Sequence, residues 1–370
     1  MRKLKEFLQR KNIIFSGKRY GIDALGAMAQ GLFCTLLVGT ILNTIGQQFN
    51  IEFLNRIIVT LKSADGTNQI GYTIGGLASA MVGPGIAVAI GFALNCPPLV
   101  LFSLIPVGFA ANAMGGAGGP LAVYFVAIIA SECGKLVSKE TKIDILVTPI
   151  VTILVGIGIS CVVAAPIGTA AKAVGTAVMW ATELQPFFMG ILVSVIIGIA
   201  LTLPISSAAI CAAFGLTGLA GGAAVAGCCA HMIGFAVMSF KENRWGGLVA
   251  QGIGTSMLQM PNLVKNPRCW IPPVIASAIT GPLATCLFRL EMNGAPVSSG
   301  MGTCGLVGQI GVYTGWVNDI TAGTKAAVTP MDWIGLVLIC FVLSAILSWG
   351  LCQVLRRWNW IKDGDLKLDL

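Results

Sequence analysis

Nine separate stretches of this chain stay apolar for about 20 residues, the length an α-helix needs to cross roughly 30 Å of hydrocarbon. They fall near residues 24–46, 71–94, 97–114, 119–137, 143–166, 187–203, 218–239, 270–290 and 332–355. Inside lipid every backbone N–H and C=O must find a partner within the protein, and runs of this length do so as helices. Only 10% of the 370 residues are charged and mean hydropathy is +0.86, whereas soluble domains carry roughly 25% charge. The expected fold is an all-α polytopic membrane bundle. The composition argues against a soluble enzyme, a disordered regulator or a secreted disulfide scaffold, and the longest polar loops are too short to bury a core of their own.

Two weaker stretches remain, 204–216 (PISSAAICAAFGL) and 248–264 (LVAQGIGTSMLQMPNLV). Charge decides how many of them cross. Basic residues collect on the cytoplasmic side of membrane proteins. Four clusters stand out: Arg2/Lys3/Lys5/Arg10/Lys11/Lys18/Arg19, Lys135/Lys139/Lys142, Lys265/Arg268 and Arg356/Arg357/Lys362/Lys367. Placing all four inside accounts for 16 of the 23 Lys and Arg. It leaves Arg56, Lys62, Lys172, Arg289 and Lys325 outside, and Lys241 and Arg244 undecided. Both termini are then cytoplasmic and the number of crossings is even. We expect about ten, with one weak stretch crossing and the other re-entrant; the sequence does not say which. The net charge of +8 is thus explained by orientation, without a nucleic-acid partner.

The N-terminus, residues 1–20, is basic and amphipathic, with Leu4, Phe7, Leu8, Ile13 and Ile14 suited to an anionic membrane surface. It has no cleavable-signal pattern. Segments 47–70 and 167–186 fit extracellular connectors or interfacial helices, the second anchored by Trp180, Phe187 and Phe188. The 12 cysteines show no metal spacing and most, lying inside apolar stretches, read as small buried hydrophobes, so neither metal nor cofactor is expected.

Chemistry is expected where helices break. Four breaks occur: Gly83-Pro84-Gly85, the 115–120 run GGAGGP, Pro204-Ile205-Ser206-Ser207, and 293–315 (NGAPVSSGMGTCGLVGQIGVYTG), which reads as a re-entrant hairpin. Broken helices present backbone dipoles to a solute near the midplane in transporters; equally, such glycines allow close helix packing. Ionisable residues within spans are few and worth weighing. His231, the only histidine, is either a satisfied core group or a partner for a ligand hydroxyl. Glu291 is either an interfacial ion pair with Arg289 or a carboxylate accepting from solute hydroxyls, and Glu132 reads as neutralised by Lys135. Asn112, Ser206, Ser207, Gln259, Asn262, Asn293, Ser298, Ser299, Thr303 and Gln309 add neutral donors and acceptors. This inventory suits a neutral polyhydroxylated solute. No nucleophile–base pair can be assembled, so no catalytic residue is assigned.

The stretch from Gln251 to Pro273, QGIGTSMLQMPNLVKNPRCWIPP, ends in Asn266-Pro267-Arg268 followed by Trp270, Pro272 and Pro273. With TLPISSAAI (202–210) and the GGAGGP run, it resembles the second class of membrane-embedded IIC permeases of the bacterial phosphotransferase system. Some members of that group are labelled toxin regulators. The resemblance covers roughly residues 20–355. It implies a sugar-translocating bundle of the inner membrane, homodimeric, with two re-entrant hairpins around a cavity. Related glucose-type permeases hold substrate with a histidine and a glutamate in a Gly-Ile-Thr-Glu-Pro hairpin. That pentapeptide does not occur here, so His231 and Glu291 correspond only loosely. No phosphoryl-donor module lies within the 370 residues, and separate soluble donor proteins would be partners. The resulting expectation is a transport domain over 21–356 with a cytoplasmic tail from 357. Its rival is a membrane sensor that docks a cytoplasmic partner through its basic inner face.

Overall fold

The computed structural model describes residues 2–62 and 69–368. The chain divides into two compact units that meet at Gly168/Thr169, inside one long helix.

In the first unit a short helix, α1 (Arg2–Arg10), precedes α2 (Arg19–Gln48), an apolar helix with two π-turns. A β-hairpin, β1 (Val59–Lys62) against β2 (Gln69–Tyr72), is antiparallel with Val59 opposite Tyr72. It is a small exception to an otherwise helical chain, in the expected connector 47–70, of which residues 63–68 lie outside the described residues. Next come α3 (Ile74–Ala80) and α4 (Val82–Ala93), bent by 54° at Met81, then α5 (Pro98–Gly115) and α6 (Gly119–Val137). Residues 98–137 are helical almost throughout, yet they form two passes. Gly116 takes φ +52°, a region glycine enters without steric cost, and the chain folds back there until Gly134 meets Val100. Gly31 against Gly85, Gly83 against Gly108, and Gly118 against Ile167 set the alternation of neighbouring helices. The unit therefore makes five antiparallel passes, the last being the start of α7 (Asp144–Thr182).

That helix departs from expectation. Residues 167–182 continue it without interruption through Pro166, and its 39 residues would extend about 58 Å at 1.5 Å per residue. The alanine-rich stretch beyond Pro166 has high helix propensity, so no connector begins there.

The second unit contains α8 (Pro186–Thr202), α9 (Ser207–Ala213), α10 (Gly218–Met238), α11 (Phe240–Val249), α12 (Met260–Lys265), α13 (Pro267–Leu287), α14 (Val307–Thr321) and α15 (Pro330–Arg357). Its register decides the question the sequence left open. Ser194 meets Gly227 and Gly198 meets His231, so α8 and α10 run parallel, side by side. Residues 203–217 must therefore return the full length of α10. With only seven residues in α9, they do so largely as non-helical chain. This weak stretch crosses. By contrast, 240–265 leaves the end of α10, turns back and rejoins the same end, so the other weak stretch is re-entrant. Gly190 on Gly281 with Ser194 on Ser277 makes α13 antiparallel, while Cys340 and Ser348 of α15 follow Cys229 and Gly234 of α10. Five passes again result. A core of Val225, Ala226, Cys229, Ala284, Trp316 and Ile339 lies among these helices.

Among the described residues six helical runs are individually long and apolar enough to span, and the bent pair α3/α4 makes a seventh. The fold-back at Gly116, the 17-residue α8 and the 203–217 return supply the remaining passes of the expected ten.

Candidate functional site

Helix α10 is the axis of the site. Its residues are small (GLAGGAAVAGCCAHMIGFAVM), which lets backbone approach on every side, and most are buried. One hairpin enters from each of its ends.

The hairpin at the N-terminal end begins where Met292 and Gly218 exchange both backbone hydrogen bonds, at 3.0 Å each. It descends through a 3₁₀ turn, Pro296–Gly300, to a tip at 301–306 and returns along α14, with Gly294 against Gly311 and Gly315 against Asn293. Gly302, Gly305 and Leu306 all have positive φ, which tightens the tip. Gly302 packs on Cys228, Thr303 Oγ1 donates to Met232 Sδ at 3.5 Å, and Gln309 Nε2 donates to Cys229 Sγ at 3.1 Å. Cys228 lies ten residues beyond Gly218, about 15 Å along the helix, so the tip stops near half of the hydrocarbon thickness. The expected hairpin over 293–315 is present.

The hairpin at the C-terminal end is 240–265. Its outer arm is an amide ladder: Gln251 Nε2 donates to Ser239 Oγ and Gln259 Nε2 to Gln251 Oε1, while Asn262 Nδ2 donates to Gln259 Oε1, each at 2.8 Å. Its tip, 252–256, lies on Ile233 and Ala236, and residues 250–254 touch 304–306 of the opposite hairpin. The two tips meet.

His231 is fully buried beside this meeting point. Its Nδ1 pairs with Thr202 Oγ1 at 2.9 Å, and the same hydroxyl pairs with Ser256 Oγ at 2.9 Å, joining α8, α10 and the hairpin tip. Nε2 abuts Gly198 and has no hydrogen-bond partner among the described residues, and neither does Gln309 Oε1. Buried polar atoms are nearly always paired, so two unpaired acceptor-capable atoms on residues flanking the tips mark this region out.

The remaining sequence-predicted residues divide by position. Ser299 Oγ donates to the Leu216 carbonyl at 2.6 Å and Ser207 Oγ to the Gly300 carbonyl at 2.7 Å, which sews the first hairpin to the 203–217 return. Ser298 is buried against Gly311, and Ser206 caps α9 by accepting from Ala209 N at 3.2 Å. Glu291 and Asn293 sit at the hairpin's mouth. There the Asn293 amide donates to Glu291 Oε2 (3.2 Å) and Asp319 Oδ2 (2.9 Å) and accepts from Gly218 N at 3.2 Å. Thirteen residues of α10 separate Gly218 from His231, about 20 Å of rise. His231 and Glu291 are therefore not brought together.

Gln259 and Asn262 are committed elsewhere. They donate to the Leu366 and Lys367 carbonyls at 3.0 and 2.8 Å, and Asn266 and Asn243 hold the same tail, whose Ile361 and Leu366 are buried. Asn112 belongs to the first unit, half-buried at the Gly116 turn where its Oδ1 faces Gly119. The GGAGGP break is thus a turn between two passes and Gly83-Pro84-Gly85 a close-packing seam. Only the 203–217 and 293–315 breaks reach the hairpin region. Thr202 and Ser256 were missed by sequence reasoning. Thr202 adjoins the Pro204–Ser207 break and Ser256 lies in the weak stretch 248–264, and a hydroxyl at such an interruption is the signal that could have found them.

Among the described residues no group of three metal-ligating side chains converges. Charge is kept away from the tips, where the buried polar side chains are Ser, Thr, Gln, Asn and His. It lies elsewhere: in the first unit Lys135 Nζ pairs with Glu132 Oε2 at 2.8 Å and donates to the Asn12 and Leu94 carbonyls, and in the second Arg356 pairs with Glu242 beyond the end of α10.

A sequence model of the family described as "Phosphotransferase system, EIIC" matches residues 22–368. No curated protein and no solved structure matches the chain. The match spans nearly the whole sequence, and the chain belongs to that family. It is a multi-pass membrane protein of sugar phosphotransferase transport, with a sugar as substrate and phosphoryl-donor proteins as partners in general terms.

Proposed function

From that membership we propose that the chain translocates a sugar or similar polar solute through a site where the two hairpin tips meet. The observation that carries this reading is the convergence itself: two broken segments enter from opposite ends of α10 and touch, amid neutral polar side chains. Irregular backbone is tolerated at membrane depth where it is enclosed by protein or lines a cavity, and transporters place their solutes there. Withdrawing the 252–256 tip would free the Thr202–Ser256 bond beside His231, and these groups match sugar hydroxyls as donors and acceptors. His231, Thr303, Gln309, Ser298, Ser299 and Ser207 would line the opened site. Glu291 and Asn293 would serve its entry, and Ser206, Gln259, Asn262 and Asn112 would support the frame.

Both units would act together as one transport domain over 21–356, flanked by 1–20 and the tail from 357. The charge clusters favour cytoplasmic termini in a bacterial inner membrane; within the second unit Lys241 and Arg244 follow α10 at the end shared with Lys265, Arg268 and the tail. A homodimer accords with the exposed length of α7, of which only 22% of the apolar window is buried.

Uptake and ligand-induced rise in Tm across a sugar panel test the reading, since a ligand of the folded state stabilises it. His231→Ala should lower both in protein that remains folded. Unchanged uptake by a well-folded variant would remove His231 from the site.

The rival reading, a ligand sensor signalling to a cytoplasmic partner, rests on the basic N-terminus. Ile13 is buried, and Lys11, Asn12 and Arg19 anchor to residues 94–140, so the discriminating deletion is 2–9. Transport should survive it, whereas signalling should not.

A further inference from the structure

Helices α10 and α15 end at the same side of the second unit, and a cleft of about 490 Å³ opens there. Its lining residues include Lys241, Arg244, Arg356 and Arg357 against a single carboxylate, Asp363. Two of the four cations are already satisfied. Lys241 pairs with Asp363 at 2.7 Å, and Arg356 pairs with Asp363 and Glu242 at 2.6 Å each. Arg244 and Arg357 have no hydrogen-bond or ion-pair partner among the described residues, and both are exposed. The lining also carries apolar surface: Val237 from the last turn of α10, Met238, Phe240, and Trp349, which is 53% exposed.

Depth identifies the occupant. Met238 and Arg357 are the last residues of two spanning helices, so the cleft lies where hydrocarbon gives way to headgroups. Basic pockets at that level between membrane helices recognise lipid phosphates. Exposed tryptophan belongs to the same layer, and Trp245 adjoins Arg244 with 71% exposure. An acidic protein surface would use the cations but not an apolar lining at this depth.

Arg244 also holds a costly backbone conformation, φ +51° and ψ −148° within α11, in a region that is nearly glycine's alone. A glycine would fit more easily and would lose the guanidinium. We propose that this cleft binds the phosphodiester of an anionic phospholipid, with Arg244 and Arg357 on the phosphate and acyl chain along Trp349 and Val237. Occupancy would brace the base of the 240–265 hairpin against α15.

The full chain in neutral detergent is titrated with phosphatidylglycerol, phosphatidylcholine or inorganic phosphate while Tm is followed. Phosphatidylglycerol should raise Tm above the phosphatidylcholine value, and inorganic phosphate should leave it unchanged. R244Q/R357Q should raise the half-saturating phosphatidylglycerol concentration about tenfold, while K142Q, an exposed charge in the other unit, should not. R244G should raise Tm without lipid and still lose the phosphatidylglycerol increment. Equal lipid responses from wild type and R244Q/R357Q would overturn the proposal, as would an equal response to inorganic phosphate. A lower lipid-free Tm for R244G would also overturn it, making Arg244 a scaffold residue. If R244Q/R357Q kept its lipid response but lost phosphorylation-coupled uptake, the cleft would serve an acidic protein and the lipid proposal would fall.

Discussion

The first unit and the hairpin region of the second bury their polar groups in opposite ways. In the first, a charged knot ties three segments: Lys135 pairs with Glu132, Tyr20 donates to Glu132 Oε1 at 3.1 Å, and Arg19 and Lys135 both donate to the Leu94 carbonyl. In the second, the region around the hairpin tips is joined by hydroxyls and amides, each a neutral bond that another hydroxyl could replace at little cost. A buried ion pair cannot lose one member without leaving an uncompensated charge. Neutral hydrogen bonds exchange for others with a net change of only about 1 kcal/mol. The contrast suits a fixed frame in one unit and a rearranging site in the other.

The sharpest way to break this comparison is Glu132→Ala. It should cost about 3–5 kcal/mol in chemical or thermal unfolding, with solute affinity of the surviving folded protein unchanged. A loss of affinity at full stability would reverse the roles of the units. Gly227→Ala comes next, because a Cβ would collide with the Ser194 carbonyl. Overpacking of this kind costs about 1–3 kcal/mol, and Tm should drop accordingly. Thr202→Val deletes the hydroxyl shared by His231 and Ser256, so it should cost about 1–2 kcal/mol while reducing uptake more than stability. Parallel losses in both would make Thr202 structural only. The smallest effect concerns pH. Hydrogen bonds from Lys241 to Asp363 and from Lys11 to Glu140 hold both carboxyls below the usual carboxylate range. Their support is complete above an ordinary pKa of about 4 and is lost as pH falls through the lower native values. Protease access to the tail and to residues 2–12 should rise only in that acid range. Loosening already at pH 6 would refute these two contacts as the cause.

Much of the frame was legible because it rests on local rules. Pro98, Pro186 and Gly218 open helices where apolar runs begin, and Glu132 and Lys135, three residues apart, pair as spacing implies. The hairpin over 293–315 was legible from glycine density. What stayed hidden depends on long-range register. Nothing near residue 204 reveals that α8 and α10 are parallel, and so the 203–217 crossing could not be told from a dip. Likewise Gln259 and Asn262 read as free polar groups because their partners, the carbonyls of 366 and 367, lie more than 100 residues away. Residues 167–182 read as a connector or an interfacial helix because Trp180, Phe187 and Phe188 suggest anchoring at the membrane surface, whereas their alanine content lets the preceding helix run on.

The return through 203–217 bears on the order in which the protein assembles. A pass with only seven helical residues cannot enter lipid by itself, since the backbone of the rest would be unsatisfied. Part of its bonding comes from Ser299 and Gly300, more than 80 residues downstream. The seventh pass can settle only after the chain has been synthesised beyond residue 300. The helix on either side of it must therefore wait in the membrane with an unfinished turn between them.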